Sequence, residues 1–164
     1  MRITREWAMP NHNTFSIKPI REFIGEVPIK SADPFARNSD LATITNDLNP
    51  EFPTNYNIDA LDFLKDFVDE WADMVLFDPP YSLRQLKECY DGIGVSMTQR
   101  ESQHFFSDLK NEIARITSVG GEVLSFGWNS VGMGKSRGFE IVEIMLVSHG
   151  GIHNDTICLR EVKR

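Results

Sequence analysis

The sequence predicts an α/β fold, in which a mostly parallel sheet has helices on both faces. Segments typical of strands alternate with segments whose apolar residues recur at helical spacing. The run MVLF, residues 74–77, is apolar throughout, as in a strand that is buried on both faces of a parallel sheet. Acidic residues follow these segments repeatedly, where the carboxyl ends of parallel strands would form one ligand-binding edge.

The first half of the chain predicts two helices and two short strands. Residues 15–27 indicate a helix that begins near Pro19. Residues 28–35 (PIKSADPF) and 41–50 (LATITNDLNP) are expected to form short strands that end in acids. Residues 59–71 indicate a helix with one apolar face. That face comprises Leu61, Leu64, Val68 and Trp71.

One long helix is predicted in the second half. Thr98 and Glu101 form a capping-box pattern at its start, and the pair Gly120-Gly121 is expected to end it. Its apolar face comprises Phe105, Phe106, Leu109, Ile113 and Ile116.

Three strand-like segments complete the chain. Residues 122–128 indicate a buried strand, and residues 139–149 and 155–163 indicate a closing antiparallel hairpin. The connection GGIHN has the composition of a tight turn. His149 and His153 bracket its glycine pair, and we interpret them as turn residues rather than as metal ligands or a general base.

Length and composition predict a single domain over residues 1–164, with 1–13 as an N-terminal arm. The 164 residues are 41% hydrophobic, which suffices for one sizeable core. Cys89 and Cys158 form no metal-ligand pattern, so no metal site is expected and a reducing cytoplasm is the expected location. No apolar run approaches the roughly 20 residues of a membrane span, so no membrane partner is expected. The net charge of −7 disfavours a broad nucleic-acid-binding surface, so contacts with a polyanion should be local.

Four acids follow strand-like segments or open the next helix. They are Asp33, Asp47, Asp59 and Asp78. Turn formation and helix capping compete as explanations, above all for Asp59. Turn formation or capping at all four positions is the weaker explanation, because it would require four independent coincidences along one predicted edge of the sheet.

The segment Asp78-Pro79-Pro80-Tyr81 suggests a specific chemistry. The prolines end the strand and stiffen the backbone after it. An exocyclic amine of a nucleobase is a poor nucleophile, because its lone pair is delocalised into the ring. The Asp78 carboxylate and the Pro79 carbonyl can accept its two N–H groups and localise that pair for attack on a methyl group. Tyr81 can stack on a base taken out of its helix.

This motif and its surroundings resemble the DPPY-type amino-methyltransferases that use S-adenosylmethionine (SAM), especially small phage-type adenine-specific DNA methyltransferases. FSIKPI (15–20) resembles the segment beside the methionine part of SAM, and DPFARNS (33–39) resembles the cofactor loop. NDLNP (46–50) resembles the ribose turn, and NIDALDFL (57–64) resembles the segment that faces the adenine. GGEVLSFGWNSVG and HGGIHNDTICLREVK resemble later strands, so the resemblance covers residues 14–162.

The resemblance implies a Rossmann-like methyltransferase fold and assigns roles to residues. Asp47 would bind the ribose hydroxyls of SAM, Asp59 would contact its adenine, and Arg37 is hypothesised to pair with its carboxylate. The expected cofactor-binding residues are Lys18, Pro19, Asp33, Phe35, Arg37, Asn38, Asp47, Asp59 and Ala60. The expected catalytic residues are Asp78, Pro79, Pro80 and Tyr81.

Three features depart from the family pattern. Arg37 and Ser39 stand where the cofactor loop often has glycine. Asp33 and Asp47 are only 14 positions apart, so the crossover helix between their strands should be very short or absent. No separate target-recognition domain is left once the catalytic core is counted.

Target recognition is therefore expected from two segments, residues 81–98 and 129–138, although both can equally be ordinary loops. The candidate substrate-binding residues are Arg84, Lys87, Trp128, Asn129 and Lys135. A homodimer or a separate specificity subunit is the expected aid to recognition.

The predicted function is methyl transfer from SAM to an exocyclic amine of a nucleobase, with N6 of adenine in DNA as the leading expectation. N4 of cytosine in DNA and a base in RNA are the alternatives, because the same pair of acceptors serves other amines. A non-catalytic SAM-binding or interaction protein is the alternative from another class.

Overall fold

A computed structural model describes residues 1–94 and 99–164 of the chain. These residues form one seven-stranded sheet with four α-helices and two 3-10 turns. The strands are β1 (Arg2–Trp7), β2 (Ser31–Asp33), β3 (Ile44–Thr45), β4 (Ala72–Phe77), β5 (Thr117–Gly127), β6 (Phe139–Ser148) and β7 (Thr156–Lys163). The helices are α1 (Lys18–Ile24), α2 (Ala60–Lys65), α3 (Leu83–Gly92) and α4 (Gln99–Ile116), and the 3-10 turns span Thr14–Ser16 and Lys135–Arg137.

The sheet order is β1-β6-β7-β5-β4-β2-β3. Every neighbouring pair is parallel except the two that involve β7, which is antiparallel to both β5 and β6. The chain order reverses between β2 and β4, and such a switch point is where open α/β sheets bind ligands. The predicted fold class, including the closing antiparallel hairpin β6–β7, is confirmed.

Helices cover both faces of the sheet, as predicted. In β4, Val75 and Phe77 pack into one apolar cluster with α2, α3 and α4. Met74 and Leu76 point the other way, into a cluster with α1 and the 3-10 turn before it. This alternation follows from the period of two in a strand, and burial on both faces explains why the segment is apolar throughout.

The N-terminal segment, predicted as an arm over residues 1–13, contains the edge strand β1. β1 pairs in parallel with β6 along its whole length, from Arg2 opposite Glu143 to Trp7 opposite Ser148. The exposed side chains along β1 explain why its sequence does not signal a strand. From Trp7 the chain runs along the carboxyl edge of the sheet to the 3-10 turn at Thr14.

The helix predicted over residues 59–71 is shorter than expected, because α2 ends at Lys65. Val68 was placed on its apolar face, but this side chain is 70% exposed. Glu70 adopts a positive φ of 54° as the chain turns into β4, which a continuing helix would not permit.

The crossover from β2 to β3 contains no helix, in agreement with the short spacing of Asp33 and Asp47. The segment before Asp59 was expected to be strand-like, but it contributes only an isolated bridge between Asn46 and Tyr56.

Two predictions around α3 and α4 were wrong. Residues 83–92 were interpreted as part of a loop, either one for target recognition or an ordinary one, yet they form α3, which is capped by the side chain of Ser82. The pair Gly120-Gly121 does not end α4, because the helix stops at Ile116 and both glycines lie in β5. There the pairing of β5 with β4 shifts register, and Gly120 has a φ of +82°. The capping pattern of Thr98 and Glu101 lies outside the residues whose side chains the structure describes.

In the described part of the chain, no helix is both long and apolar enough to cross a membrane.

Candidate active site

A cavity of about 750 Å³ runs along the carboxyl edge of the sheet. This volume is within the roughly 300–1,000 Å³ that is usual for small-molecule sites. Its lining residues follow successive strands: Phe35 after β2, Asp47 after β3, Asp78 after β4, Trp128 after β5, His149 after β6 and Pro10 after β1. Asp78 lies near the middle of this row, so the cavity has one half on the β2–β3 side and another on the β5–β1 side.

All four predicted catalytic residues line this cavity. The hydroxyl of Tyr81 donates a hydrogen bond of 2.7 Å to Oδ1 of Asp78. The backbone N–H of Tyr81 donates to the side-chain carbonyl of Gln85 at 2.7 Å, and this bond fixes the start of α3 against the motif. In this conformation the Tyr81 hydroxyl therefore uses part of the acceptor capacity of the Asp78 carboxylate.

Burial raises the pKa of Asp78 to about 6. The Thr14 and Tyr81 hydroxyls oppose this increase, because hydrogen bonds stabilise the ionised form. Asp78 is thus an acceptor whose charge changes close to neutral pH. Burial and the neighbouring Asp78 charge also raise the pKa of Tyr81 above its ordinary value, so Tyr81 stays a hydrogen-bond donor.

Two aromatic rings stand together beside Asp78. The rings of Tyr81 and Trp128 lie 5.4 Å apart and meet edge to face at 72°. Trp128, a candidate substrate-binding residue, is 42% exposed and lines the cavity. The pair provides an apolar surface next to the acid.

Asp33 is fully buried at the end of β2. Its Oδ1 accepts the backbone N–H of Phe35 at 3.0 Å, while its Oδ2 has no hydrogen-bond partner among the described residues. Burial raises its pKa well above the usual range, and the like charges of Asp78 and Asp47 raise it further. Asp33 is therefore close enough to Asp78 and to Asp47 to be repelled by each of them.

Asp47 anchors the cofactor loop that the sequence predicts. Its carboxylate accepts the backbone N–H groups of Arg37 at 3.1 Å and Asn49 at 2.9 Å. Arg37 has a φ of +52°, in the left-handed region that favours glycine. Its guanidinium donates to the carbonyl of His12 at 3.0 Å and lies over the ring of Phe52.

Asn46 organises this region, although sequence reasoning did not identify it. Its buried amide donates to the carbonyls of Pro34 and Ile58 at 3.2 and 3.0 Å and accepts the N–H of Ile58 at 3.1 Å. One side chain thus joins the cofactor loop, the end of β3 and the approach to α2. The sequence offers a single hint of this role, which is that Asn46 directly precedes Asp47, the residue expected to bind the ribose of SAM.

Asp59 is the N-cap of α2, so helix capping, the alternative to a ligand-binding role, accounts for most of its contacts. Its Oδ1 accepts the N–H groups of Leu61 and Asp62, and its Oδ2 accepts the hydroxyl of Tyr90. Ala60 and Tyr90 both line the cavity. Helix α3, which lies in one of the two candidate segments for target recognition, thus contributes Leu86, Cys89 and Tyr90 to the lining of the cavity.

Phe35 and Arg37 line the cavity, whereas Asn38 lines a smaller neighbouring cavity of about 140 Å³. Lys18 and Pro19 line neither among the described contacts, because α1 begins there and Lys18 points to solvent beside Glu22.

Four candidate substrate-binding residues lie away from the cavity lining. Arg84 and Lys87 are exposed on α3, and Arg84 pairs with Glu88 at 2.8 Å. The side chain of Asn129 accepts the N–H of Val131 in a local turn. Lys135 precedes β6 at the opposite edge of the sheet.

The strand register locates Lys135. Phe139, at the start of β6, lies opposite Lys163, and the adjacent Val162 lies opposite Glu122 of β5. Glu122 in turn lies opposite Met74, four residues before Asp78. At about 3.3 Å per residue, this level of the sheet is roughly 13 Å from Asp78.

Two groups of lining residues were not predicted as site residues. The segment after β1 contributes Pro10, Asn11 and His12; the connection from β6 to β7 contributes His149, His153 and Asn154; and Thr156 begins β7. Both segments have the composition of ordinary loops, so His149 and His153 were interpreted as turn residues and the others were not considered. In the described part of the chain, no cluster of His, Cys, Asp and Glu side chains is arranged to hold a metal ion.

No protein-family model and no curated protein matches the chain. Solved structures nevertheless resemble it. TrmN from Thermus thermophilus aligns with a TM-score of 0.58 and 16% identity, over 88% of this chain and 47% of that one. PH0851 aligns with a TM-score of 0.53 and 13% identity, over 87% of this chain and 44% of that one. HI0767 from Haemophilus influenzae, provisionally described as a methylase, aligns with a TM-score of 0.52 and 12% identity, over 90% of this chain and 98% of that one.

The chain therefore spans a little under half the length of the first two proteins and nearly all of the third. Identities this low show the fold alone. The sheet order with its antiparallel β7 agrees with these similarities. The chain has the Rossmann-like α/β fold of these structures.

Proposed function

We propose that this protein transfers a methyl group from SAM to an exocyclic amine of a nucleobase, with N6 of adenine in DNA as the preferred target. The observation that carries the proposal is the position of Asp78 and Pro79 in the middle of one continuous cavity. Acids line the half towards β3, and aromatic and amide groups line the other half. A cofactor and a base can thus meet at the same acceptor pair.

The β2–β3 half suits SAM, which carries a positively charged sulfonium. Asp47 keeps lone pairs for the two ribose hydroxyls, since each carboxylate oxygen holds only one backbone N–H. Asp78 and Asp47 both line the cavity and can supply negative charge near the sulfonium when they are ionised. The guanidinium of Arg37 is the expected partner of the cofactor's carboxylate.

The reaction requires the amine to replace the Tyr81 hydroxyl at Asp78. The amine would then donate one N–H to the Asp78 carboxylate and the other to the Pro79 carbonyl. Its nitrogen lone pair attacks the methyl carbon, the bond between this carbon and the sulfur breaks, and the sulfur keeps the electron pair as S-adenosylhomocysteine leaves. The proton lost from nitrogen passes to Asp78, whose pKa of about 6 suits a transient acceptor.

The test is methyl transfer from labelled SAM to unmethylated genomic DNA and, separately, to total RNA. Digestion to nucleosides and mass spectrometry identify the modified base. The variants are Asp78→Asn and, as a matched control, Asp73→Asn, which changes an exposed acid near the start of β4, towards the opposite end of the strand.

We expect N6-methyladenine from the parent and the control, and at least a thousandfold less from Asp78→Asn. N4-methylcytosine or a methylated RNA base would correct the target. Binding of SAM without any methylated product would instead favour a non-catalytic role.

A further inference from the structure

We propose that the edge strand β1 is a homodimer interface, at which two copies of β1 pair antiparallel about a two-fold axis that passes at Thr4. This pairing joins the sheets of two molecules into one continuous sheet. The inference does not depend on the proposed function, because it concerns the side of the sheet rather than the cavity at its carboxyl edge.

β1 has backbone groups available for an added strand. It is the first strand in the sheet order, and in the described part of the chain it pairs with β6 alone. The backbone N–H of Ala8 donates to the carbonyl of Ser148 in β6. Because successive residues of a strand direct their N–H and C=O groups to opposite sides, those of Ile3, Arg5 and Trp7 point away from β6, to the open edge. An added strand would bind through these groups.

One face of β1 carries a row of exposed apolar side chains. Met1, Ile3 and Trp7 alternate along the strand, so they share this face, and they are 79%, 61% and 64% exposed. An open strand edge beside apolar side chains is prone to uncontrolled association unless it has a partner. Methionine and aromatic residues are enriched in protein interfaces. The face therefore suits a protein partner.

The charges of β1 identify a second copy of the same strand as this partner. If the two-fold axis passes at Thr4, Arg2 lies opposite Glu6 of the second copy, and Glu6 lies opposite its Arg2. Opposite charges that face each other across a strand pair stabilise it. Both side chains are exposed, although the guanidinium of Arg2 also lies 3.6 Å from the carboxylate of Glu143 in its own chain. The charge pattern of β1 is thus complementary to itself.

Neighbouring registers lack this complementarity. An axis at Ile3 places Arg2 opposite Thr4, so no ion pair forms. An axis at Arg5 places two like charges opposite each other, which destabilises the pair. Of these three axes, the one at Thr4 alone forms two ion pairs.

The backbone geometry agrees with the register that the charges select. In an antiparallel pair, residues that point to the shared edge lie opposite each other and exchange hydrogen bonds. The axis at Thr4 meets this condition, because it places Ile3 opposite Arg5 of the second copy, and both point to the open edge. Arg2 and Glu6 then form a non-hydrogen-bonded pair, in which the Cα atoms are only about 4.5 Å apart and the side chains are closest. The ion pairs therefore form where cross-strand side chains interact best.

This dimer keeps the two cavities apart. The two-fold axis directs the carboxyl ends of the parallel strands to opposite edges of the joined sheet. Trp7, at the carboxyl end of β1, lies opposite Met1 of the second copy, so the two Trp7 residues are roughly 20 Å apart along the strands. Each cavity would therefore open on its own edge of the sheet.

The test is sedimentation velocity of the full-length chain from about 1 to 100 µM, because an interface built on one strand belongs to the weak class. Arg2→Glu and Glu6→Arg each place like charges opposite each other on both sides of the axis. Arg164→Glu is the matched control. Arg164 is exposed and lies 2.8 Å from Glu140 of β6, but it follows β7, on the other side of β6 from β1.

We expect the parent and Arg164→Glu to dimerise as the concentration rises, and the dimer Kd of Arg2→Glu or Glu6→Arg alone to be at least tenfold higher. An equimolar mixture of the two β1 variants should dimerise like the parent, because each glutamate of one chain then faces an arginine of the other. Misfolded variants cannot produce this rescue. A parent that stays monomeric at the highest concentration, or single variants that dimerise like the parent, would overturn the inference.

A cross-linking measurement tests the register without changing a charge pair. Thr4→Cys is placed in a Cys89→Ser background, which removes the exposed native thiol and leaves Cys158 buried. Oxidation with diamide should give a covalent dimer, because the two copies of residue 4 face each other across the axis. Arg2→Cys in the same background should give at least tenfold less, since its two copies are about 13 Å apart. No covalent dimer from Thr4→Cys, or equal yields from both variants, would overturn the proposed pairing.

Discussion

The two halves of the cavity are built by different means. In the half towards β3, carboxylates are fixed by backbone N–H groups: Asp33 by Phe35, and Asp47 by Arg37 and Asn49. In the half towards β1, neutral aromatic, amide and imidazole groups are positioned by contacts between two loops that are distant in sequence. The bonds that fix these two acids join residues no more than 10 positions apart, whereas the second half depends on a contact between residues 141 positions apart.

This difference assigns separate tasks to the halves. Carboxylates held in place suit a ligand with hydroxyl groups and a positive centre, because no side-chain movement is needed when it binds. Neutral amide and imidazole side chains around the rings of Tyr81 and Trp128 suit a flat, uncharged base. Changes on one side should therefore alter the binding of one ligand and spare the other.

The largest difference between the effects on SAM binding and on DNA binding is expected from Asp47→Ala. Loss of charged hydrogen bonds to two ribose hydroxyls should weaken SAM binding about 100-fold, which corresponds to roughly 3 kcal/mol. KM for DNA, measured at saturating SAM, should change less than twofold. Calorimetry and steady-state kinetics test this, and a thermal melt without ligand shows whether the loop at Arg37 and Asn49 has also been weakened. Unchanged SAM affinity would remove Asp47 from the cofactor site.

Substitution of Tyr81 should produce the converse effect. Tyr81→Ala removes a stacking surface worth about 1–3 kcal/mol, so kcat/KM for DNA should fall about 30-fold while Kd for SAM stays within twofold. Tyr81→Phe keeps the ring and removes only the hydroxyl that occupies Asp78, so its kcat/KM should remain within about threefold of the parent. Equal losses in both variants would show that the hydroxyl, rather than the ring, is required.

The pH dependence of methyl transfer should identify Asp78 between the halves. With a pKa of about 6, its carboxylate is lost below that pH, so kcat/KM should fall about tenfold per unit as the pH decreases further. Thr14→Val removes a hydroxyl that lowers this pKa and should move the inflection to higher pH. A profile that is flat between pH 5 and 7 would exclude this role.

Ionisation of Asp78 should increase activity but decrease the stability of the folded protein. The pKa of Asp78 is raised above 3.8 in the folded state, so the folded protein binds more protons between about pH 4 and 6. The free energy of unfolding therefore falls as pH rises through this window and stays lower above it. Asp78→Asn should melt several degrees above the parent at pH 8, while Asp73→Asn should not.

The smallest effect is expected from Arg37→Gly. Glycine relieves the positive φ at this position but loses the bond to the His12 carbonyl and the contact with Phe52, so Tm should change by less than about 3 °C. If the guanidinium pairs with the carboxylate of SAM, Kd for SAM should rise about fivefold. Calorimetry with Arg37→Lys alongside separates loss of charge from loss of geometry.

The elements predictable from sequence are those whose signals are local. The apolar run before Asp78 required a buried strand, and the spacing of Asp33 and Asp47 required a crossover without a full helix; the structure has both. Strand β1 and helix α3 were missed because β1 is exposed and pairs only with the distant β6, and because glycines and basic residues around α3 were interpreted as a recognition loop.

The site shows the same limit. Asp33, Asp47 and Asp78 lie at or just after the ends of parallel strands, as the sequence order predicts, whereas Asp59 follows no strand and caps α2. The sequence order could not show that Tyr90 would reach Asp59, or that His149 would reach Ala8, because these contacts join segments 31 and 141 positions apart. Lys135 was misplaced because the β5–β6 connection crosses to the other end of the sheet.

Asp33 is repelled by the charges of both Asp78 and Asp47, so negative charge accumulates at this edge of the sheet as these acids ionise with rising pH. A ligand with a positive centre should raise the melting temperature more at pH 8 than at pH 5, since more negative charge awaits neutralisation at the higher pH. The same charges repel phosphate groups. A polyanionic substrate should therefore dock more readily after the cationic ligand has bound, which favours an ordered sequence of binding with the cofactor first.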